Sequence, residues 1–209
     1  MCCQNANSIA MFLMLSSSIC VILIKLFLCR QRSVAMKNRY SLPQIVLHWL
    51  TLLMIILTYS AMLLSDTVPD EDRTFVRNLH FNFGISVWLL MLVRLWLRQR
   101  NLTPAISPPL PHWQLLGVHL SHWGLYLMFL SLPILGFLTQ AYGGRTWLLL
   151  GWPVPQWLTP NTDVRDYLKQ THVFIANLGY FVIGIHGIAA LYHHYIRRDD
   201  TLRRMMPGK

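Results

Sequence analysis

The sequence predicts an all-α integral membrane protein: a bundle of four transmembrane helices, preceded by a further apolar stretch of spanning length. Three observations predict it. Of 209 residues, 54% are hydrophobic and only 12% charged, and the mean hydropathy is +0.40, the balance of one compact membrane domain. Four later apolar runs are each long enough to cross a bilayer. The net charge of +10 gathers at the ends of those runs, as the loop-charge rule requires, so lipid rather than nucleic acid is the expected partner.

Residues 1–35 read as an N-terminal extension and residues 36–209 as one four-helix domain. The extension's apolar run, residues 9–29, contains Lys25 and the trio Ser16, Ser17 and Ser18. It reads as an extra membrane helix, an uncleaved signal anchor, or a stretch upstream of the native start, because Met36 opens MKNRYSLPQ just before the next helix. All four cysteines, Cys2, Cys3, Cys20 and Cys29, lie in this extension, which argues against a disulfide framework. No CxxCH motif is present, so covalent c-type haem attachment is excluded.

The first span is expected over residues 42–64, with Pro43 acceptable in its opening turn. An acidic loop, residues 65–78, follows, and then a second span over 79–97. TPAISPPLP is too proline-rich to be helical. The third span covers residues 113–140, with a kink expected at Pro133 and Gly136. The loop 141–170 is rich in Trp and Pro and should include a short interfacial piece. The fourth span covers residues 172–194 and ends in the basic tail RRDDTLRRMMPGK.

Charge orients the bundle. Twelve basic residues, among them Arg39, Arg94, Arg98, Arg197 and Arg204, fall on the side that holds the chain's C-terminal end. Only Arg73, Arg77, Arg145, Arg165 and Lys169 fall on the other. By the positive-inside rule the C-terminus is cytoplasmic.

Orientation gives each histidine a depth. His172 and His186 share the fourth span; at ~1.5 Å and ~100° per residue they stand ~21 Å apart and within ~40° of one face. Small residues between them, such as Gly179 and Gly184, admit a close helix or a flat cofactor. His48 lies at the inner level with His186, and His80 at the outer level with His172. Two neutral imidazoles at each level suit the axial positions of a haem iron, so two stacked haems are expected. Zinc would want a compact tetrahedral cluster, which this spacing denies. Against the reading, a single intramembrane histidine is as often a packing or proton-relay residue, and His80 and His172 lie near an interface where they could simply be solvated.

His119 and His122 share a face at i, i+3 in the inner half. Either they stand near the inner haem beside His193 or His194, where a quinone head group needs hydrogen bonds and protons, or they replace His48 as the inner ligand. His193 and His194 also read as a solvated helix end. Arg94 suits a haem propionate or an inner-flank anchor equally well.

LHW around His48, HFNFGIS after His80, HLSHWGLY around His119 and His122, and the closing KQTHVFIANLGYFVIGIHGIAALYHHYIRRDDTLRRMMP resemble the bacterial cytochrome b561 family, the di-haem four-helix kind. The resemblance covers residues 36–209. It implies a multi-pass protein of the bacterial inner membrane, with His48, His80, His172 and His186 as axial ligands of two b haems. It also implies ubiquinone contact near His122 and His193, and, as in some members, oxidation of superoxide at the outer face with ubiquinone as acceptor. Related b subunits instead serve a peripheral dehydrogenase or hydrogenase, which is the alternative function. Short outer loops favour the stand-alone oxidoreductase; the outer arginines and lysine could steer a small anion, although neighbouring acids oppose that field.

Overall fold

The computed structural model describes residues 39–207, apart from residues 102 and 145; the expected N-terminal segment, residues 1–35, lies outside the described residues. Among the described residues, four helices are long and apolar enough to cross a membrane. Helix α1 (Leu42–Ser65) starts where the Ser41 N–H donates to Gln44 Oε1 at 3.1 Å, with Pro43 in the first turn, where its missing N–H leaves no gap in the ladder.

Helix α2 (Asp70–Arg100) begins well before the expected residue 79. Pro69 precedes it, and Asp70, Glu71 and Asp72 fill its first turn, where carboxylates meet the positive end of the helix dipole. Arg98 and Arg100 stand at the opposite end. The loop expected over 65–78 therefore shrinks to residues 66–69: the acidic residues extend the helix out of the apolar slab instead of ending it.

Helix α3 (His112–Gly143) follows Pro111, runs through Pro133, and stops at Gly144, whose φ of +66° is the left-handed conformation of a helix C-cap. A small hairpin, β1 (Leu148–Leu149) paired antiparallel with β2 (Trp152–Pro153), occupies the loop where a short interfacial piece was expected. Helix α4 (Thr162–Tyr192) also begins earlier than expected, because the Asn161 side chain accepts the Val164 N–H at 3.1 Å and caps it outside the slab. It continues into a π-helical turn, His193–Arg197.

Helix α1 packs along α2, α3 along α4, and α2 meets α3. Val87 and Met91 of α2 interlock with Tyr126, Met128, Phe129 and Leu132 of α3 to form the core. At mid-bundle the Tyr59 hydroxyl donates to Ala176 O at 2.9 Å, tying α1 to α4. Gly179 makes that approach feasible, since a Cβ there would overlap the Tyr59 hydroxyl. Much of the outer surface is apolar, with Phe174 64%, Phe181 70% and Ile188 68% exposed. In helices whose backbone bonds are made internally, that surface is one for lipid. The described residues form a four-helix membrane bundle.

At the inner end the tail folds back over the helices. Trp49 Nε1–H donates to Met205 O at 2.8 Å, the Tyr40 N–H to Arg204 O at 3.3 Å, and the Arg204 guanidinium to Pro104 O at 2.5 Å. The proline-rich connection is thus fastened rather than loose.

Candidate functional site

All four helices contribute to each of two levels. At the outer level His80 of α2 and His172 of α4 face one another with ring centroids 6.2 Å apart. His80 Nδ1 lies 2.9 Å from Thr58 O of α1, and His172 Nδ1 lies 3.0 Å from Leu132 O of α3. A carbonyl can only accept, so each Nδ1 must carry the proton, and each Nε2 is left as a free lone pair. Backbone carbonyls holding the far nitrogen are the usual support of a metal-ligating histidine.

Between α1, α2, α3 and α4 at this level lies a cavity of about 580 Å³, to which His80, His172, Gly84, Gly136, Phe81 and Trp147 contribute. Gly136 leaves the room the His172 ring uses, since an added Cβ would sit 3.3 Å from its Cε1. Arg77, Arg165 and Lys169 also line the cavity. Arg165 is paired with Asp166 at 2.6 Å; Arg77 and Lys169 have no ion-pair partner among the described residues. Trp147 closes the outer side, stacked edge-on against Phe81 and Phe137 at 5.7 and 6.1 Å. Its hairpin is clamped to α2: Asn82 Nδ2 donates to Leu148 O at 3.0 Å, and the Leu148 N–H donates to Asn78 Oδ1 at 3.3 Å.

The inner level is arranged differently. His186 of α4 meets His122 of α3 edge-on at 5.5 Å, and Ser121 Oγ lies 3.3 Å from His186 Nδ1. His122 donates its own Nδ1–H to Val118 O at 2.6 Å, leaving Nε2 free. His48 of α1 does not stack on His186; its Nδ1 accepts a hydrogen bond from the Arg94 guanidinium at 3.0 Å. Arg94 has no carboxylate partner among the described residues, and an intramembrane cation is a functional-site candidate. His119 is exposed and spends its Nδ1 on Leu115 O of its own helix, at 2.7 Å. It stands apart from the inner cluster, which leaves the substitution of His119 for His48 without structural support. His193 is buried at the inner end, its Nδ1 2.5 Å from Asp199 Oδ2.

A family profile described as Prokaryotic cytochrome b561 matches residues 39–208. The chain belongs to the prokaryotic cytochrome b561 family. Cytochrome b561 homolog 1 of Escherichia coli (strain K12) is 46% identical over 174 residues, 82% of this chain and 99% of that protein. The probable superoxide oxidase CybB of Yersinia pestis is 40% identical over 175 residues, 83% of this chain and 99% of that one. Cytochrome b562 of Cereibacter sphaeroides is similar at 27% identity over 80% of this chain and 94% of its own length. Membership makes the protein a multi-pass bacterial membrane cytochrome of electron transport, with haem b as its cofactor.

The residues at the outer level fit that cofactor. Two metal–imidazole bonds of ~2 Å and rings of ~1 Å radius place the centroids of opposed axial ligands roughly 6 Å apart. The 6.2 Å between His80 and His172 agrees. At the inner level the hydrogen bond from Arg94 occupies His48 Nδ1, so the two would have to part before the His48 proton could move to Nδ1 and free Nε2 for a metal.

Several working residues gave no signal in the sequence. Thr58 and Leu132 act through backbone carbonyls, which any residue type supplies. Asn78 closes the expected loop 65–78 and Asn82 falls within the expected second span, and neither residue type marks a contact with a distant hairpin. Asp199 was hidden in a charged tail that reads as solvated.

Proposed function

We propose that this cytochrome b561 holds two haem b groups, the outer between His80 and His172 and the inner between His48 and His186. It uses them to carry electrons from the outer, periplasmic face to ubiquinone near the inner face, with superoxide as donor. The observation that carries the reading is the outer histidine pair: two rings at iron-spanning distance, both with Nδ1–H engaged and Nε2 open. The bound haems supply one-electron transfer between the two faces; the chain's residues do the rest.

At the outer face, Arg77 and Lys169 attract a small anion to the cavity mouth, and Trp147 keeps bulk water from its wall. Each superoxide gives up one electron and leaves as dioxygen. At the inner face, one ubiquinone takes two electrons and two protons to become ubiquinol, so two superoxide ions are consumed per quinol. His122 and His193 each take up a proton at Nε2 and, as imidazoliums held through Nδ1–H, donate it to one of the head group's two oxygens. The cytoplasmic C-terminus follows from the basic inner flanks and places proton uptake on that side. The resemblance to a probable superoxide oxidase at 40% identity supports the donor.

Stopped-flow mixing of purified, haem-loaded protein with superoxide tests the reading. Reduction of the haem Soret and α bands, followed by reoxidation on adding ubiquinone, is expected. Fast reduction by a peripheral dehydrogenase or hydrogenase, with none by superoxide, would assign the protein as an electron-transfer subunit.

A further inference from the structure

The inner end of α4 departs from regular helix in a way the electron path does not require. After Tyr192 the chain makes a π-helical turn, His193–Arg197, and Arg198 takes the left-handed conformation at φ +55°. π-helical turns interrupt helices most often at functional positions. This one swings Asp199 back beneath the ring of His193: the Asp199 N–H donates to His193 O at 3.1 Å while its Oδ2 lies 2.5 Å from His193 Nδ1. Both residues are buried, His193 at 8% and Asp199 at 3% exposure. The other carboxylate oxygen, Oδ1, accepts the Thr201 N–H at 2.9 Å. Nε2 of His193 has no hydrogen-bond partner among the described residues.

We propose that Asp199 is a positioning residue for quinone reduction: it fixes the His193 proton on Nδ1 and so reserves Nε2 for exchange with a quinone oxygen. This rests on the reading above, in which His193 touches the quinone. A backbone N–H donor occupies Oδ1 and the ring N–H occupies Oδ2, so the carboxylate is satisfied only by one tautomer of His193. Each quinone reduction then draws one of its two protons through Nε2. Inner-side water first delivers a proton to Nε2, making an imidazolium that Asp199 stabilises through Nδ1–H; the ring then gives the Nε2 proton to the reduced quinone's oxygen and returns to its Nδ1–H form. The balance is the one given above, two electrons and two protons per quinol, and no further reactant is involved.

Asp199→Asn tests it sharply. The Thr201 N–H still needs an acceptor, so the amide oxygen stays with it and the NH₂ faces His193 Nδ1. The ring must then accept at Nδ1 and carry its only proton on Nε2, and giving that proton up would leave an imidazolate with no carboxylate to support the imidazolium route. Pre-reduced, haem-loaded D199N should reoxidise with a soluble ubiquinone on the order of 100-fold more slowly than wild type, with kcat rather than KM carrying the loss. Its haem spectra and its reduction at the outer face should be unchanged. D199E should recover much of the rate, and H193Q/D199N should be no slower than H193Q alone.

Wild-type D199N kinetics with both haems present would overturn the proposal. ¹⁵N-histidine NMR of the wild type, with H193Q giving the assignment, reads the tautomer without relying on any variant at Asp199. A proton on Nδ1 is expected, and a neutral ring protonated on Nε2 alone would refute the idea. Should wild-type protein itself fail to pass electrons to ubiquinone, the proposed function fails, which is a separate result.

Discussion

His172 shows how little separates a packing histidine from a ligand at the scale of one residue. Its Nδ1–H is committed to Leu132 O, its ring fits against Gly136, and its ring centre stands 6.2 Å from that of His80. Replacing His172 with Ala should remove the outer haem and leave the inner one, halving haem per chain in a pyridine haemochrome assay. Gly179 is under a different constraint. Gly179→Ala would press a methyl into the Tyr59 hydroxyl and toward Met128. Overpacking of this kind costs about 1–3 kcal/mol, so the variant should lower Tm in detergent and weaken the Tyr59–Ala176 hydrogen bond that joins α1 to α4.

Asp199 has a pH consequence. Burial alone would raise its carboxyl, but hydrogen bonds from His193 and Thr201 outweigh burial and hold it below the ordinary carboxylate value. A group whose pKa is depressed on folding stabilises the fold above its unfolded pKa, ~3.9 for Asp. That stabilisation is lost as pH falls through the folded value. The tail should therefore stay fastened through mildly acid conditions and loosen only below about pH 4, seen as faster amide exchange at Thr201.

The helices themselves were legible where apolar run and span coincide, and illegible where polar turns carry a helix past the lipid. Residues 42–64 and the later runs predict four spans, and four are present among the described residues. The residues Asp70, Glu71 and Asp72 read as loop because acids do not belong in a membrane, yet their charge is what starts α2 outside it. The π-helical turn at His193–Arg197 had no sequence signal, since the same residues suit an α-helix. The hairpin of β1 and β2 is held by side chains of α2, and that register cannot be read from WLLLGWPVPQW. Asn82→Ala removes its bonds to Leu148 O and to the Leu150 N–H. It should free the hairpin by about 1–3 kcal/mol and expose Trp147, measured as red-shifted, more quenchable tryptophan fluorescence with haem content retained.

Across the whole molecule, one regularity sets the two depths: fourteen residues on a helix separate two imidazoles by most of a bilayer while keeping them on one face. That much was visible without coordinates, and the outer pair stands together. The inner level was less legible. Charge and periodicity put His48, His122, His186 and Arg94 at one depth, but which rings touch depends on side-chain choices made in three dimensions. If Arg77 and Lys169 steer an anion to the outer mouth, the rate of haem reduction by superoxide should fall as salt rises from about 0.01 to 0.15 M, where the Debye length shortens from ~30 to ~8 Å. An Arg77→Gln, Lys169→Gln variant should lose most of that dependence.

Haem stoichiometry reaches the account's foundation most directly, taken on purified protein together with His172→Ala and His186→Ala. Two haem b per chain in the wild type, with one in each variant and distinct α-band spectra for the survivors, is the expected result. A single haem in the wild type, or a variant that keeps the full complement, would contradict it.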